Sequence, residues 1–383
     1  PLAADPKLGL VYVPTGSASP DFYGGEREGN NLYANSLVAL HAVSGKVAWY
    51  RQLVHHDVWD YDLPAQPTLV ELKHNGQLIP AVLQATKTGM IFSFDRRTGK
   101  PIFEIEERPV PQRGVPGEHL SPTQPFPVAP PPVTRYRQIT EGDAWGMLYF
   151  DMKGCQKRIS RMRSDGIFTP PSIEGTIQFP GFAGGINWGG LAFDPERQLA
   201  VTFAINLAME VALIPRGEFK KVQQSGEFDG QEFARQNGTP YGMRRTAFLS
   251  SFGVPCIEPP WGTLTAVDME NGNIHWQVPL GTIQDIAPAP VPNLELGVPG
   301  TGGPIITASG LVFIGAAADD YLRAFNLQNG DLLWEGRLPA GGQATPMSYF
   351  LKQTEKQYIV IAAGGHGRVG TTNGDYLIAY ALP

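Results

Sequence analysis

Apolar runs separated by short polar turns recur along the chain and predict repeated β-hairpins. Each copy is an apolar strand, a polar turn that ends in Gly, and a second strand with an aromatic residue four positions after that Gly. Gly supplies the positive φ that a tight hairpin turn requires, and the aromatic side chain can pack across the next copy. The Gly and aromatic pairs are Gly45 and Trp49, Gly99 and Phe103, Gly272 and Trp276, and Gly330 and Trp334. The pattern therefore predicts hairpins that pack on one another.

A second repeat places a further strand before the hairpins. Asp5-Pro6 and the strand at 10–13 recur 189 positions later as Asp194-Pro195 and the strand at 199–202, and residues 310–314 repeat the same strand. Hairpin glycines follow one another at 54 and 58 residues, a spacing that fits four-stranded propeller blades with long loops. We therefore predict an all-β fold, and specifically a β-propeller.

Composition agrees with this prediction and sets its limits. The 383 residues include 45 Gly and 35 Pro, which interrupt helices and form turns between strands. We interpret the Pro-rich runs at 108–133 and 285–304 as surface excursions from a single partial propeller domain spanning 1–383, rather than as peptide-recognition segments. The best helix signal is short and polar, from Glu218 to Gln231. A propeller closes on itself to remove its sheet edges, so we expect the remaining blades in a longer protein or a second chain.

Charge and hydropathy exclude several classes of function. The net charge of −6 leaves no basic surface stripe for nucleic-acid phosphates, so nucleic-acid binding is not expected. No run approaches the roughly 18 apolar residues of a spanning helix, and residues 1–5 lack the layout of a signal peptide, so any membrane anchor is expected outside this chain. The two cysteines, Cys155 and Cys256, can form one disulfide or none.

Candidate chemistry lies in the turns that follow repeat-equivalent strands. Such turns converge on the axis of a propeller, and here they carry unlike polar residues that predict a pocket for an acidic ligand or a cofactor. These residues are Ser17 and, at the offset of 189, Asn206, together with Lys87, Asp319, Asp320 and His366.

A separate acidic cluster, from His55 to Asp62, predicts a metal site. Asp60 and Asp62 point the same way if this segment is extended, and two like charges repel unless a cation lies between them. Oxygen ligands suit Ca²⁺. The alternative is an exposed acidic loop whose carboxylates cap turns.

The motifs resemble one family over nearly the whole chain. The stretches that carry the resemblance are His55-His56-Asp57-Val58-Trp59-Asp60, Lys87-Thr88-Gly89, Gly166-Ile167-Phe168-Thr169-Pro170-Pro171, Leu213-Ile214-Pro215-Arg216-Gly217, Phe252-Gly253-Val254-Pro255-Cys256 and Leu338-Pro339-Ala340-Gly341-Gly342. The chain resembles the C-terminal portion of the membrane-bound pyrroloquinoline quinone (PQQ) dehydrogenases, which include glucose, quinate and polyol dehydrogenases. The resemblance implies an eight-bladed propeller, of which this chain covers roughly the C-terminal five blades.

The resemblance also assigns roles to residues. It implies that Asp60 is the catalytic base and a metal ligand, and that Lys87 hydrogen-bonds to a quinone carbonyl of PQQ. It makes Asn206, Asp319 and His366 further cofactor-pocket residues. Ser17 stands where the family usually has Asn as a metal ligand, and Asp62 is a third candidate ligand. The expected metal is Ca²⁺, with Mg²⁺ or a lanthanide as alternatives, and a further acidic ligand and the Trp beneath the cofactor are expected before Pro1.

These residues predict an oxidoreductase on the periplasmic face of the bacterial inner membrane. The resemblance implies oxidation of a sugar or cyclic polyol with electrons passed to ubiquinone, and the Gly364-Gly365-His366 turn favours a glucose-like substrate. A quinate or shikimate dehydrogenase is the alternative within the family. A non-catalytic propeller that scaffolds membrane-protein assembly is the alternative from another class, although a scaffold has no use for Asp60 and Lys87 at axial turns.

Overall fold

The computed structural model describes residues 1–287 and 291–382. Within these ranges the chain forms short strands, two α-helices and one 3-10 turn at Glu141–Asp143. The strands are β1 (Ala3–Asp5), β2 (Leu10–Pro14), β3 (Ser36–His41), β4 (Val47–Gln52), β5 (Thr68–His74), β6 (Gln77–Ala85), β7 (Ile91–Asp95), β8 (Ile105–Pro109), β9 (Thr123–Pro127), β10 (Thr176–Gln178), β11 (Leu191–Asp194), β12 (Leu199–Ile205), β13 (Met209–Pro215), β14 (Glu232–Ala234), β15 (Tyr241–Ala247), β16 (Gly262–Asp268), β17 (Asn273–Pro279), β18 (Ile305–Ile306), β19 (Leu311–Ile314), β20 (Tyr321–Asn326), β21 (Leu332–Arg337), β22 (Met347–Leu351), β23 (Lys356–Ala363) and β24 (Tyr376–Ala381). The helices are α1 (Tyr149–Ile159) and α2 (Phe219–Gln223).

Five antiparallel sheets follow one another along the described chain, and we call them blades one to five. Blade one is β1 to β4, blade two is β5 to β7, blade three is β11, β12, β16 and β17, blade four is β18 to β21, and blade five is β22 to β24. Within each blade, every strand is hydrogen-bonded to the strand that follows it in this order. The all-β prediction is confirmed, while the total of eight blades stays a prediction.

The hairpin aromatics join each blade to the next one. The indole nitrogen of Trp49 donates to the backbone oxygen of Arg96 at 3.1 Å, and that of Trp276 donates to Leu327 at 2.7 Å. A Cβ atom on Gly99 would lie 2.6 Å from the Trp49 ring, and Gly99 has a φ of +69°. Gly is thus required both by the turn and by the indole that covers it. The predicted packing between hairpins is confirmed.

The first strands of neighbouring blades lie side by side, which is the arrangement found around a propeller axis. Gln66, just before β5, donates from Nε2 to the backbone oxygen of Leu2 at 3.0 Å, and Thr68 in β5 donates to Leu191 in β11 at 3.4 Å. β11 in turn contacts β18. The apolar core lies between blades, as in the cluster that joins the buried Tyr12 and Trp49 side chains of blade one to those of blade two.

One further sheet was not predicted. It has the order β10, β13, β15, β14, and three of its strands enter the chain between β12 and β16 of blade three. We call it the inserted sheet. Ile205 of β12 still pairs with Gly262 of β16, so the blade is complete although 206–261 lie between its two central strands. The strand pattern of a blade is therefore interrupted in sequence and continuous in space.

The region before the inserted sheet contains a helix that no sequence signal indicated. Between Trp145 and Phe203 the chain forms α1, β10, β11 and the first part of β12. The start of α1 lacks a side-chain cap on Leu148, so the usual sequence signal of a helix start is missing. A disulfide between Cys155 of α1 and Cys256 ties this helix to the chain before β16. The helix predicted within 218–231 is present as the shorter α2.

The two Pro-rich runs have different structures. Residues 108–133 include most of an antiparallel ribbon of β8 and β9. The run at 285–304 has no strand in its described part, and Pro288, Ala289 and Pro290 lie outside the described residues. None of the helices in the described ranges combines the length and the apolar character needed to span a lipid bilayer.

Candidate functional site

The segment that carries Asp60 connects blades one and two without regular structure. β4 ends at Gln52 and β5 begins at Thr68, and Asp60 has a φ of +60°. The prediction that Asp60 and Asp62 share a face because the segment is extended was therefore wrong in its reason, since the left-handed residue turns the chain between them. Both carboxylates nevertheless reach the same cation, Lys87.

The buried carboxylate of Asp57 organises this irregular segment. It accepts hydrogen bonds from the backbone of Trp59 at 2.9 Å and of Tyr61 at 3.0 Å, so it closes the turn on both sides of Asp60. The side-chain amide of Asn35 donates to it at 2.9 Å, and the hydroxyl of Ser17 donates to the same oxygen. Local hydrogen bonds of this kind replace the strand ladder that the segment lacks.

Lys87 lies in the turn between β6 and β7 and joins the two acidic residues. Its Nζ is 3.1 Å from Asp60 Oδ1 and 2.5 Å from Asp62 Oδ1, and it donates to the backbone oxygen of Asp60 at 2.9 Å. The residue is only 8% exposed. A Cβ atom on Gly184 would lie 2.5 Å from Lys87 Cγ, so the absence of a side chain at Gly184 gives the lysine its space. No sequence motif indicated this role.

Burial and charge oppose each other in this cluster. Burial raises the pKa of Asp60 to about 6, with the Lys87 charge working against the rise and Asp62 adding to it. Burial lowers the pKa of Lys87, but Asp60 and Asp62 outweigh it, so the pKa of Lys87 is raised overall. At neutral pH the Asp60 carboxylate is therefore ionised and lies next to the buried Lys87 ammonium group. A carboxylate whose pKa is close to the ambient pH is suited to act as a general base.

Arg245 is a second cation on Asp60 that sequence analysis did not identify. Its Nη1 is 3.2 Å from Asp60 Oδ2, and it belongs to β15 of the inserted sheet. The two residues are 185 positions apart, and no local motif connects them. Only the placement of the inserted sheet could have indicated the contact.

Ser17 and Asn206 occupy the repeat-equivalent positions after β2 and β12. The hydrogen bonds of Ser17 are made to Asp57 and Asn35. Asn206 is buried, accepts from the backbone of Arg135 at 2.9 Å and donates to Thr263 at 3.4 Å. The strand before Asn206 reaches the Lys87 turn, because Ile205 donates to the Gly185 oxygen and Gly185 donates to the Lys87 oxygen.

Asp319 and His366 lie apart from the Asp60 cluster in their direct contacts. Asp319 is buried and both of its oxygens accept from Arg323, at 2.9 and 2.7 Å. His366 is half-buried in the loop between β23 and β24, and its Nδ1 atom is buried with no hydrogen-bond partner among the described residues. The same loop approaches the inserted sheet, with Arg368 3.8 Å from Glu232.

The structure thus brings Asp60, Asp62 and Lys87 into direct contact and places Asn206 beside the same turn. In the described ranges no set of three or more His, Cys, Asp or Glu side chains is arranged to hold a metal ion. The metal-ligand roles of Asp60, Asp62 and Ser17, and the cofactor roles of Asn206, Asp319 and His366, stay predictions.

Comparison with known proteins identifies the family. Residues 1–359 match the family model described as PQQ: Glucose/ethanol/alcohol dehydrogenase, beta-propeller domain. The chain belongs to this PQQ dehydrogenase family. Quinoprotein glucose dehydrogenase of Escherichia coli (strain K12) is 46% identical over 391 residues, a match that covers 100% of this chain and 49% of that protein. Quinate/shikimate dehydrogenase (quinone) of Acinetobacter baylyi is 42% identical over 390 residues, covering 100% and 48%.

Solved structures of the PQQ family share the fold. A europium-containing methanol dehydrogenase superposes with a TM-score of 0.65 at 20% identity, covering 100% of this chain and 58% of that one. Quinohemoprotein alcohol dehydrogenase from Comamonas testosteroni gives a TM-score of 0.62 at 22% identity, covering 100% and 48%. The predicted β-propeller is confirmed, and the chain spans about half the length of the curated relatives it matches.

The Asp60 cluster fits the groups that the PQQ family implies. PQQ carries carbonyl and carboxylate oxygens, and the buried Lys87 ammonium is a donor for such an oxygen. Asp60 and Asp62 both bring a carboxylate oxygen to that ammonium, and carboxylate oxygens are the ligands that Ca²⁺ prefers. Asp57 already takes the hydroxyl of Ser17, so Ser17 fits a metal less directly than the two acidic residues do.

Proposed function

We propose that this chain is the C-terminal propeller portion of a PQQ-dependent dehydrogenase that oxidises a sugar or cyclic polyol and passes electrons to ubiquinone. The observation that carries the proposal is the contact of Asp60 and Asp62 with the buried Lys87 in a chain of this family. A glucose-like substrate is favoured, and quinate or shikimate is the alternative because relatives with either name match over the whole chain.

In this proposal each residue acts through a stated atom. Asp60 takes the proton of the substrate hydroxyl on a carboxylate oxygen, and its pKa of about 6 keeps that oxygen unprotonated at neutral pH. Lys87 Nζ would donate to a carbonyl oxygen of bound PQQ and stabilise negative charge there. PQQ would supply the acceptor for the hydride of the substrate carbon, which carries both electrons of the oxidation.

The metal, pocket and location form further parts of the proposal. Asp60, Asp62 and Ser17 are the proposed metal ligands in this chain, with Ca²⁺ favoured over Mg²⁺ or a lanthanide. Asn206, Asp319 and His366 are proposed as the remaining cofactor-pocket residues. The rest of the site comes from the N-terminal part of the same protein or from a second chain. We place the protein on the periplasmic face of the bacterial inner membrane, where ubiquinone is accessible.

A substrate screen tests the proposal. The full-length protein is loaded with PQQ and Ca²⁺, and reduction of an electron-accepting dye is followed with glucose, other sugars, polyols and quinate. We expect turnover with a glucose-like sugar and none without PQQ. Asp60→Asn is assayed in the same way, and we expect it to lose turnover. Asp331→Asn, in an exposed turn, is its control, because both changes replace one carboxylate by an amide. Absence of PQQ-dependent turnover with every substrate would contradict the proposal.

The same preparation tests the metal. Apoprotein is reconstituted with PQQ and either Ca²⁺ or La³⁺, and turnover and PQQ retention are compared. Activity with Ca²⁺ supports the proposed ion, whereas activity with La³⁺ alone would overturn it and give the second carboxylate, Asp62, a role in binding a trivalent ion.

A further inference from the structure

The inserted sheet contributes one charged side chain to the Asp60 cluster. Arg245 of β15 reaches Asp60 Oδ2 at 3.2 Å, while Lys87 of blade two holds Oδ1 of the same carboxylate at 3.1 Å. The two cations therefore approach the carboxylate on different oxygens and from different sheets. Because Asp60 lies in a segment without a strand ladder, these side-chain contacts fix the orientation of its carboxylate.

The guanidinium group of Arg245 is itself held in place on three sides. Its Nε and Nη2 donate to the two oxygens of Glu232, at 3.1 and 3.0 Å, and Glu232 is its direct cross-strand partner in β14. Its carbon atom Cζ lies 4.2 Å from the ring centre of Phe182 and 5.4 Å from that of Phe22. The fork geometry leaves Nη1 as the free donor, and it is aimed at Asp60.

We propose that Arg245 is a positioning residue that holds the carboxylate of Asp60 in the orientation needed to accept the substrate proton. The inference rests on the proposed role of Asp60 as base. The inserted sheet then contributes to the site, because β14 and β15 position Arg245 and Arg245 positions the carboxylate of Asp60. Misorientation of a reacting group by a small distance costs up to about 100-fold in rate, so the contact has a measurable effect.

The neighbouring residue provides a matched control. Successive side chains of a strand point to opposite faces, and Arg244 binds Glu210 at 2.6 Å rather than Asp60. Its side chain is as little exposed as that of Arg245, 11% in both cases. Arg244→Met therefore removes an equally buried arginine, and its ion pair, from the same strand without touching the Asp60 cluster.

The test uses the full-length protein with PQQ and Ca²⁺ and compares Arg245→Met, Arg245→Lys, Glu232→Gln and Arg244→Met. We expect Arg245→Met to lower kcat about 10- to 100-fold with KM changed less than about threefold. We expect Arg245→Lys to have a kcat about tenfold above that of Arg245→Met, because lysine keeps the positive charge but cannot make the two parallel hydrogen bonds to Glu232. Glu232→Gln frees the arginine without touching Asp60 and lowers kcat about three- to tenfold, whereas Arg244→Met stays within about threefold of wild type.

A measurement without turnover separates this inference from the proposed function. In the apoprotein, Tm is measured for Asp60→Asn, Arg245→Met and the double variant. We expect the double variant to depart from additivity by about 2 °C, and the corresponding Arg244 cycle to be additive. Additive shifts for Asp60 and Arg245 overturn the inference even if the wild type turns over no substrate. A wild type that is active while Arg245→Met keeps kcat within about twofold overturns the inference and leaves the proposed function intact.

Discussion

Asp60 and Asp319 are two acidic residues that the sequence marks as candidates for the same site, and the structure gives them different surroundings. Asp319 is buried, and both of its oxygens bind one arginine, Arg323, while its Oδ2 also accepts from the backbone of Thr282 at 2.8 Å. The side chain of Asp60 is 21% exposed, and its oxygens are divided between Lys87 and Arg245. Asp319 is thus saturated by its own neighbourhood, and Asp60 keeps access to a ligand.

The difference shows which feature marks a candidate base. Both residues are acidic, both follow a blade strand, and both have cationic partners. What separates them is the origin of the partners: Arg323 comes from the strand next to Asp319, whereas the cations on Asp60 come from blade two and from the inserted sheet. Partners from distant elements converge on a site, while a partner from the same hairpin stabilises that hairpin.

The largest expected effect is on turnover at Asp60. Asp60→Asn keeps the size of the side chain but cannot accept the hydroxyl proton, so we expect kcat to fall by more than the roughly 10²- to 10⁴-fold typical of a lost general base. PQQ should still bind, which quenching of tryptophan fluorescence can measure. Turnover within about tenfold of wild type would remove Asp60 from the role of base.

Asp319→Asn should act on stability. It removes the buried charged partner of Arg323, whose side chain is 4% exposed, and leaves the arginine with Glu335 alone, at 3.3 Å. Loss of one member of a fully buried pair costs about 3–5 kcal/mol, and Glu335 offsets part of that cost. Urea unfolding of the full-length protein measures the free energy. Loss of PQQ affinity beside the loss of stability would agree with the proposed cofactor role of Asp319, whereas a variant that unfolds like wild type would remove the contrast with Asp60.

Lys87→Ala tests the cation that Asp60 and Asp62 share. Removing a charged donor from a buried carbonyl should weaken PQQ binding by about 1.5–3 kcal/mol and slow turnover. The exposed lysine variant Lys73→Ala on β5 is the control and should change neither quantity. Unchanged PQQ affinity together with an unchanged rate in Lys87→Ala would contradict the assignment.

The smallest expected effect is a pH dependence of stability. Burial raises the pKa of Asp60 to about 6, so the folded protein binds this proton more tightly than the unfolded chain does. The stabilisation of the folded protein by protonated Asp60 is therefore complete at low pH, and it is lost as pH rises through about 6. We expect wild-type apoprotein to lose about 2 kcal/mol relative to Asp60→Asn between pH 4 and pH 7. Parallel stability curves for the two proteins would place the pKa of Asp60 near its ordinary value.

Local signals account for the part of the fold that sequence predicted. Each turn glycine and the aromatic four positions later lie within one hairpin, so Gly45, Trp49 and their equivalents could be recognised without knowing the fold. The 189-residue offset likewise placed Asn206 correctly at the end of β12. Lys87 was found because its turn follows a strand of the same kind.

The remainder depends on contacts that leave no local pattern. Arg245 meets Asp60 across 185 residues, and Gly184 makes room for Lys87 from another loop. The helix α1 begins at Tyr149, and Leu148 before it has no capping side chain. Two cysteines permit a disulfide without requiring one. In each case the structure depends on contacts between residues that are distant in sequence, so the local sequence does not predict it.

The topology of the inserted sheet has a consequence for how such proteins diversify. Its chain leaves blade three after Ile205 and returns at Gly262, which pair directly, so its ends are separated by about 5 Å. The pairing of β12 with β16 does not depend on the length of chain between these two points. Changes within β13 to β15, including at Arg245, can therefore alter the surroundings of Asp60 while the ladder of blade three is kept, and β10 together with the disulfide of Cys256 ties these strands to the chain before the blade.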